Sequence, residues 1–190
     1  MIPLLPRKPR PPVFVAALLA TMALALPALA VVYWERGPLL GSFFASSKRV
    51  APKRFALNDA DAADIAKKLG VATVKRDWNV YVGDGDAGRD GYAILDAEIG
   101  LHEPIDFGVR FSKGGVIERV EIIEYREPFG DGVRSDRFRE KFVGKTAKDP
   151  IEAGRDIDIV SGATYSSKSV ALGVKRDALV LDVALKSGAL

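Results

Sequence analysis

The chain has no cysteine and a single histidine, His102. Without thiols it cannot build a disulfide framework, a zinc–thiolate centre, an iron–sulfur cluster or a cysteine nucleophile. One histidine cannot make a His-rich metal site, and it argues against a Ser-His-Asp triad. His102 lies in Gly100-Leu101-His102-Glu103-Pro104, a turn ahead of a strand, with no evident catalytic partner. It reads as a surface or supporting residue. The sequence also lacks internal repeats, and no basic run is interleaved with aromatics.

Charge is scarce in one place. The formal net charge of +3 would invite a nucleic-acid reading. Yet residues 1–30 carry Arg7, Lys8 and Arg10 and no acid, so the rest holds 25 basic and 25 acidic residues. The folded part is charge-balanced, which disfavours nucleic acid as a partner. Residues 1–12 are rich in proline and unsuited to a regular helix. Residues 13–34 carry no charge at all. That run is long enough to cross a hydrocarbon core of about 30 Å.

Two readings of residues 1–34 stay open. Ala28-Leu29-Ala30 fits the cleavage site of a secretory signal. The run through Tyr33 and Trp34 fits an uncleaved anchor with an aromatic end at the interface. Basic residues near the two ends are similar in number, so the positive-inside rule does not set the orientation. The order of regions favours export of the C-terminal part. The expected location is the cell membrane, single-pass with an extracytoplasmic domain, or the periplasm if the signal is removed.

Residues 35–57, with Gly37-Pro38, Gly41 and Pro52, read as a linker whose basic residues could touch lipid. Residues 58–190 read as one domain. Asn58 suits an N-cap, Lys67 and Lys68 a last turn, and Gly70 a stop. Strand character follows. Ile105, Phe107, Val109 and Phe111 alternate strictly, and Ser112-Lys113-Gly114-Gly115 is a hairpin signal. Residues 116–125 return with a less regular pattern, expected from a bulge or burial on both faces. A short helix is expected at 135–142 and a long one at 166–186, where Val170, Val174, Ala178, Leu181 and Leu185 recur at helical spacing. The expected fold is α+β: an antiparallel sheet with flanking helices and a C-terminal helix, preceded by one N-terminal signal or transmembrane helix.

Gly83-Asp84-Gly85-Asp86-Ala87-Gly88 matches G-x-G-x-x-G, but a strand-like segment follows where a dinucleotide site needs a helix. Its acids evoke a calcium loop, but Gly88 and Arg89 occupy positions where that loop needs Asp or Asn and then Gly. An exposed hairpin loop is the expectation. The informative segment is Asp158-Ile159-Val160-Ser161-Gly162-Ala163-Thr164-Tyr165. A strand-like end runs into small residues, and a long helix begins at once. The free N–H groups of that helix and the hydroxyls of Ser161, Thr164, Ser166 and Ser167 suit a phosphate. The alternative on the residues alone is a capping box, with Thr164 or Ser166 merely starting the helix.

Asp158-x-x-Ser161-Gly162-Ala163-Thr164 resembles the D-x-x-(S/T)-G-A-T motif of the FMN-binding domain family. That family includes extracytoplasmic flavin subunits of the Rnf and sodium-pumping NADH:quinone reductase complexes and stand-alone membrane-anchored proteins. Gly91-Tyr92-Ala93, Gly100-Leu101-His102-Glu103-Pro104-Ile105, Glu124-Tyr125-Arg126-Glu127 and Phe142-Val143-Gly144-Lys145 resemble the stand-alone branch. One departure stands out: Arg126-Glu127-Pro128-Phe129-Gly130 replaces the Glu-Thr-Pro-Gly turn of the complex subunits. The resemblance implies FMN as cofactor, joined by a separate flavin transferase through a phosphodiester to Thr164, with Asp158 part of what the transferase recognises. Ser161, Gly162 and Ala163 would form the attachment turn. Tyr125, Phe129 and Tyr165 are the implied ring neighbours, with Glu127 a polar contact. It implies an electron carrier between membrane redox proteins rather than a stand-alone enzyme. A noncovalent flavin module and a cofactor-free exported interaction domain are the alternatives.

Overall fold

A computed structural model describes residues 30–190. The expected signal or anchor helix therefore falls outside the described residues, apart from its last positions. The elements are β1 (Val31–Val32), α1 (Arg36–Phe43), β2 (Arg49–Ala56), α2 (Asp59–Leu69), β3 (Asp77–Gly85), β4 (Gly88–Ile99), β5 (Pro104–Ser112), β6 (Ile117–Tyr125), α3 (Asp136–Arg139) and α4 (Thr164–Lys186). The strands form one antiparallel sheet in the order β1-β6-β5-β4-β3-β2. The α+β expectation holds.

Local chemistry accounts for most of these elements. The Asn58 side chain accepts from the Asp61 N–H at 2.8 Å, and Gly70 closes α2 in the left-handed region. On β5, Ile105, Phe107, Val109 and Phe111 are all fully buried. They meet α4, where Val170, Val174, Ala178 and Leu181 form the apolar stripe. The helix approaches closely at Gly173, where an added Cβ would lie 2.4 Å from the Phe107 ring. The irregular pattern of β6 has both expected causes. Register shifts at Asp106/Phe107 and Arg110/Phe111 interrupt its pairing with β5. Its opposite face is also covered, since Ile123 belongs to a second apolar cluster. Phe138 and Phe142 meet edge to face, 5.3 Å between ring centres.

Residues 35–57 are not a linker: they contain α1 and β2. Leu39 and Phe43 of α1, with Phe44, pack on Ala93 and Ile123 behind the sheet. Arg110 fixes this layer. Its buried guanidinium donates to the Phe43 carbonyl at 2.9 Å, pairs with Asp90 at 3.2 Å and stacks on Phe44. The prolines and glycines that suggested a tether are compatible with structure here. Pro38 sits in the first turn of α1, where a missing N–H costs nothing, and Pro52 lies on the outermost strand. Tyr33 and Trp34 also pack on the domain. They lie beneath Arg134 and Arg119, respectively. The Gly83–Gly88 stretch is the β3–β4 hairpin, with Asp84 paired to Arg89 and Asp86 to Lys48. Among the described residues, no helix is long and apolar enough to cross a membrane.

Candidate functional site

β6 ends at Tyr125, and residues 126–130 then fold over the first turn of α4. Tyr125 is buried. Its hydroxyl donates to the Phe129 carbonyl at 2.5 Å and lies 2.8 Å from Ser166 Oγ. One phenolic proton serves one acceptor, so Ser166 is the donor to Tyr125. Burial raises the Tyr125 pKa and outweighs the opposing Ser166 bond. Gly130 makes this closure possible. It has φ +95°, and a Cβ there would lie 2.6 Å from the Tyr125 oxygen and 2.9 Å from Ser166 Oγ.

Glu127 fixes the same turn from the other side. One of its oxygens accepts from the His102 N–H at 2.6 Å and the Glu103 N–H at 3.0 Å. Burial pushes this carboxyl up. The backbone donors of Glu103, His102 and Leu101 outweigh it and hold it below the usual range. His102 contributes its backbone rather than its ring.

The motif loop is pinned before it reaches the helix. Ile151 is buried with φ +47°, a conformation a β-branched residue rarely adopts. Asp156 holds it, accepting from the Ile151 and Glu152 N–H groups at 3.1 and 2.8 Å while pairing with Lys145 at 2.8 Å. Burial raises the Asp156 carboxyl, but these donors and the Lys145 charge bring it below the usual range. Ser167, fully buried, accepts from the Val160 N–H at 3.1 Å.

The sequence-predicted residues therefore divide. Ser161, Gly162, Thr164 and Tyr165 are exposed together at the start of α4, while Ala163 is buried beneath them. Gly162 has φ +75°, with nothing within 4 Å of an added Cβ. Phe129 stands 82% exposed beside them. Tyr125 and Glu127 lie inside and hold the turn. Ser166 and Ser167, expected to crowd the phosphate, are instead buried ties between loops. The capping-box alternative also fails. Ala163 is the N-cap, and α4 has no side-chain cap bond. The first-turn N–H groups at 164–166 thus lack an intrahelical acceptor. Asp158 is exposed and pairs with Lys141 at 3.2 Å. With Ser135, Arg137, Phe138, Ile159, Val160 and Ser161 it lines a groove of about 450 Å³. A cavity of about 470 Å³ between α2, α4 and residues 150–153 contains none of the motif residues from 158 to 165.

Sequence reasoning missed Lys141 and Lys168. Lys141 follows no spacing rule relative to Asp158, because tertiary packing brings the pair together. Lys168 was findable: it is four residues after Thr164, on the same helical face.

This geometry fits an FMN phosphate. Uncapped helix amides, open space over Gly162 and an exposed threonine hydroxyl converge at one point. Residues 100–178 match the family model of the FMN-binding domain, and FMN is the cofactor this match indicates. The resemblance read from the motif is thereby shown. Among solved structures, NqrC from Shewanella oneidensis is similar, with a TM-score of 0.52 and 19% identity over 80% of this chain and 90% of that one. A subunit of the Na⁺-translocating NADH-quinone reductase from Parabacteroides distasonis scores 0.44 at 17% identity, over 69% of this chain and 75% of that one. The likeness of fold rests on the first of these. No curated protein matches the chain.

Proposed function

We propose that this protein is a membrane-attached electron carrier working outside the cytoplasm, with FMN esterified through its phosphate to Thr164. The observation that carries this reading is the exposed Thr164 hydroxyl on the first residue of α4, beside amides that no side chain caps.

Attachment by a flavin transferase balances as an exchange at phosphorus. The bond from Thr164 Oγ1 to the FMN phosphorus forms as the pyrophosphate of FAD breaks. AMP leaves, and the threonine proton goes to solvent or to a base on the transferase. The phosphodiester keeps one negative charge. The amides of residues 164–166 and the α4 dipole would stabilise it by about 0.3–1 kcal/mol. Lys168, one turn along, adds a cation on the same face. Asp158, exposed and paired with Lys141, is available for recognition by the transferase.

When bound, the isoalloxazine supplies one- and two-electron chemistry, and the protein supplies position and electrostatics. Phe129 and Tyr165 offer exposed aromatic faces beside the attachment point. Tyr125 and Glu127 keep Phe129 in place from below. The partners on this reading are the transferase, membrane-bound redox proteins and lipid. An anchor in residues 13–30 would hold the carrier near those partners by raising effective concentration.

Intact mass of the full chain, expressed with a flavin transferase, tests the proposal. A gain of one FMN less one water, mapped to Thr164, is expected. An unmodified Thr164 under those conditions overturns it. Flavin lost on denaturation and dialysis would identify a noncovalent module instead. The same spectrum reports whether residues 1–30 are retained.

A further inference from the structure

Exposed apolar side chains are not spread evenly over this domain. Val31, Val32, Ile99, Leu101, Phe129 and Tyr165 are all exposed, and all sit at one end of the sheet. The topology places them there. β4 ends at Ile99, β6 ends at Tyr125, and Ile105 near the start of β5 pairs with Tyr125. The first turn of α4 reaches the same end through the Tyr125–Ser166 bond. The turns are tied to one another: Glu127 accepts from His102 and Glu103, and Tyr125 holds the Phe129 carbonyl. They present a single fixed surface.

The chain enters at this end too. Val31 pairs with Tyr125 and Val32 with Glu124 in antiparallel register. Ala30, the first described residue, therefore lies past the Tyr125 end of β6, on the side of residues 126–130. Residues 13–30 are uncharged and directly precede β1 in sequence. As a helix they would measure about 27 Å, close to a hydrocarbon thickness.

We propose that this end of the domain lies on the bilayer, with the tips of residues 99–101 and 129 seated among the lipid headgroups and Thr164 held at the membrane surface. The inference rests on the reading of residues 13–30 as a retained membrane anchor. Exposed charges here are mixed, Glu103 and Asp131 against Arg36 and Arg134. The contact is therefore apolar and requires no anionic lipid. A spacerless anchor leaves the domain little freedom to turn this face away.

The absence of cysteine makes the test direct. The full chain is reconstituted in phosphatidylcholine vesicles with one nitroxide label on Ile99→Cys, Leu101→Cys or Phe129→Cys. Val50→Cys and Val143→Cys, exposed elsewhere on the domain, serve as controls. The ratio of oxygen to water-soluble relaxant accessibility should be several-fold higher at 99, 101 and 129 than at 50 and 143. Retention on the vesicles in high salt and alkaline carbonate is measured in parallel. A chain that washes off overturns the anchor reading and this inference together. A retained chain whose labels at 99, 101 and 129 are as wet as the controls overturns the inference alone. Labels wet in pure lipid but shielded in native membranes would mean that a protein covers this end, which also overturns it.

Discussion

The Tyr125 oxygen lies 2.8 Å from Ser166 Oγ, joining the last residue of β6 to the first turn of α4. This contact sets where the Phe129 turn sits over the loop that leads into α4. Tyr125→Phe should destabilise the fold by about 1–2 kcal/mol, because it leaves the Ser166 hydroxyl and the Phe129 carbonyl without partners. Tyr125→Phe with Ser166→Ala should cost less than the sum of the two. Urea denaturation of all four forms gives the coupling, and strict additivity would refute the bond.

Two glycines with positive φ should behave differently. Gly130→Ala places a Cβ 2.6 Å from the Tyr125 oxygen, in a backbone conformation that already disfavours alanine. Steric clash and strain together should exceed about 2 kcal/mol. Gly162→Ala meets open space, so only the conformational cost of about 1–2 kcal/mol applies. Thermal melts of the pair provide the comparison. Equal losses would mean that the turn at 130 can move away freely.

Much of this fold was legible because the signals were local. Asn58 and Gly70 delimit α2 by capping chemistry, and the alternation on β5 follows from one buried face. The turn into α4 was legible for the same reason: small residues and hydroxyls precede a helix. The segment at 35–57 was misread because Pro38 and Pro52 are tolerated only at a helix start and a sheet edge, positions that tertiary structure sets. The roles of Tyr125, Ser166 and Ser167 were illegible on similar grounds. A hydroxyl beside a motif looks the same whether it faces a ligand or ties a loop, and only burial separates the two.

Thr164 should matter for the cofactor and not for the fold. Its side chain is exposed and caps nothing. Thr164→Ala should change stability by no more than about 0.5 kcal/mol. It should abolish the flavin fluorescence that survives denaturing electrophoresis when the transferase is present. A large fall in melting temperature would show that loss of flavin in this variant reflects misfolding. Thr164→Ser keeps a hydroxyl in the same place and separates the need for an oxygen nucleophile from recognition of the threonine methyl.

Asp177 predicts a pH dependence independent of any cofactor. It lies on α4, fully buried, and neither carboxyl oxygen has a hydrogen-bond donor. Its neighbour Asp96 pairs with Lys75 and with Arg176 at 2.7 Å. Burial pushes the Asp177 pKa well above the usual carboxylate range, and the Asp96 charge adds to the shift. Burial also raises Asp96, but Arg176 and Lys75 outweigh it and keep Asp96 ionised. Full burial beside an ionised Asp96, with no donor on either oxygen, favours the neutral acid at Asp177. The folded state then binds a proton that the unfolded chain releases near pH 4. This contribution to stability is complete below that pH. It declines as pH rises and is lost as pH passes through the folded-state pKa of Asp177. Asp177→Asn supplies an uncharged N–H donor at every pH. The variant should gain on the parent as pH rises from 5 to 9, with a flatter urea-midpoint profile over that range. Parallel profiles would show that Asp177 is ionised in the folded protein.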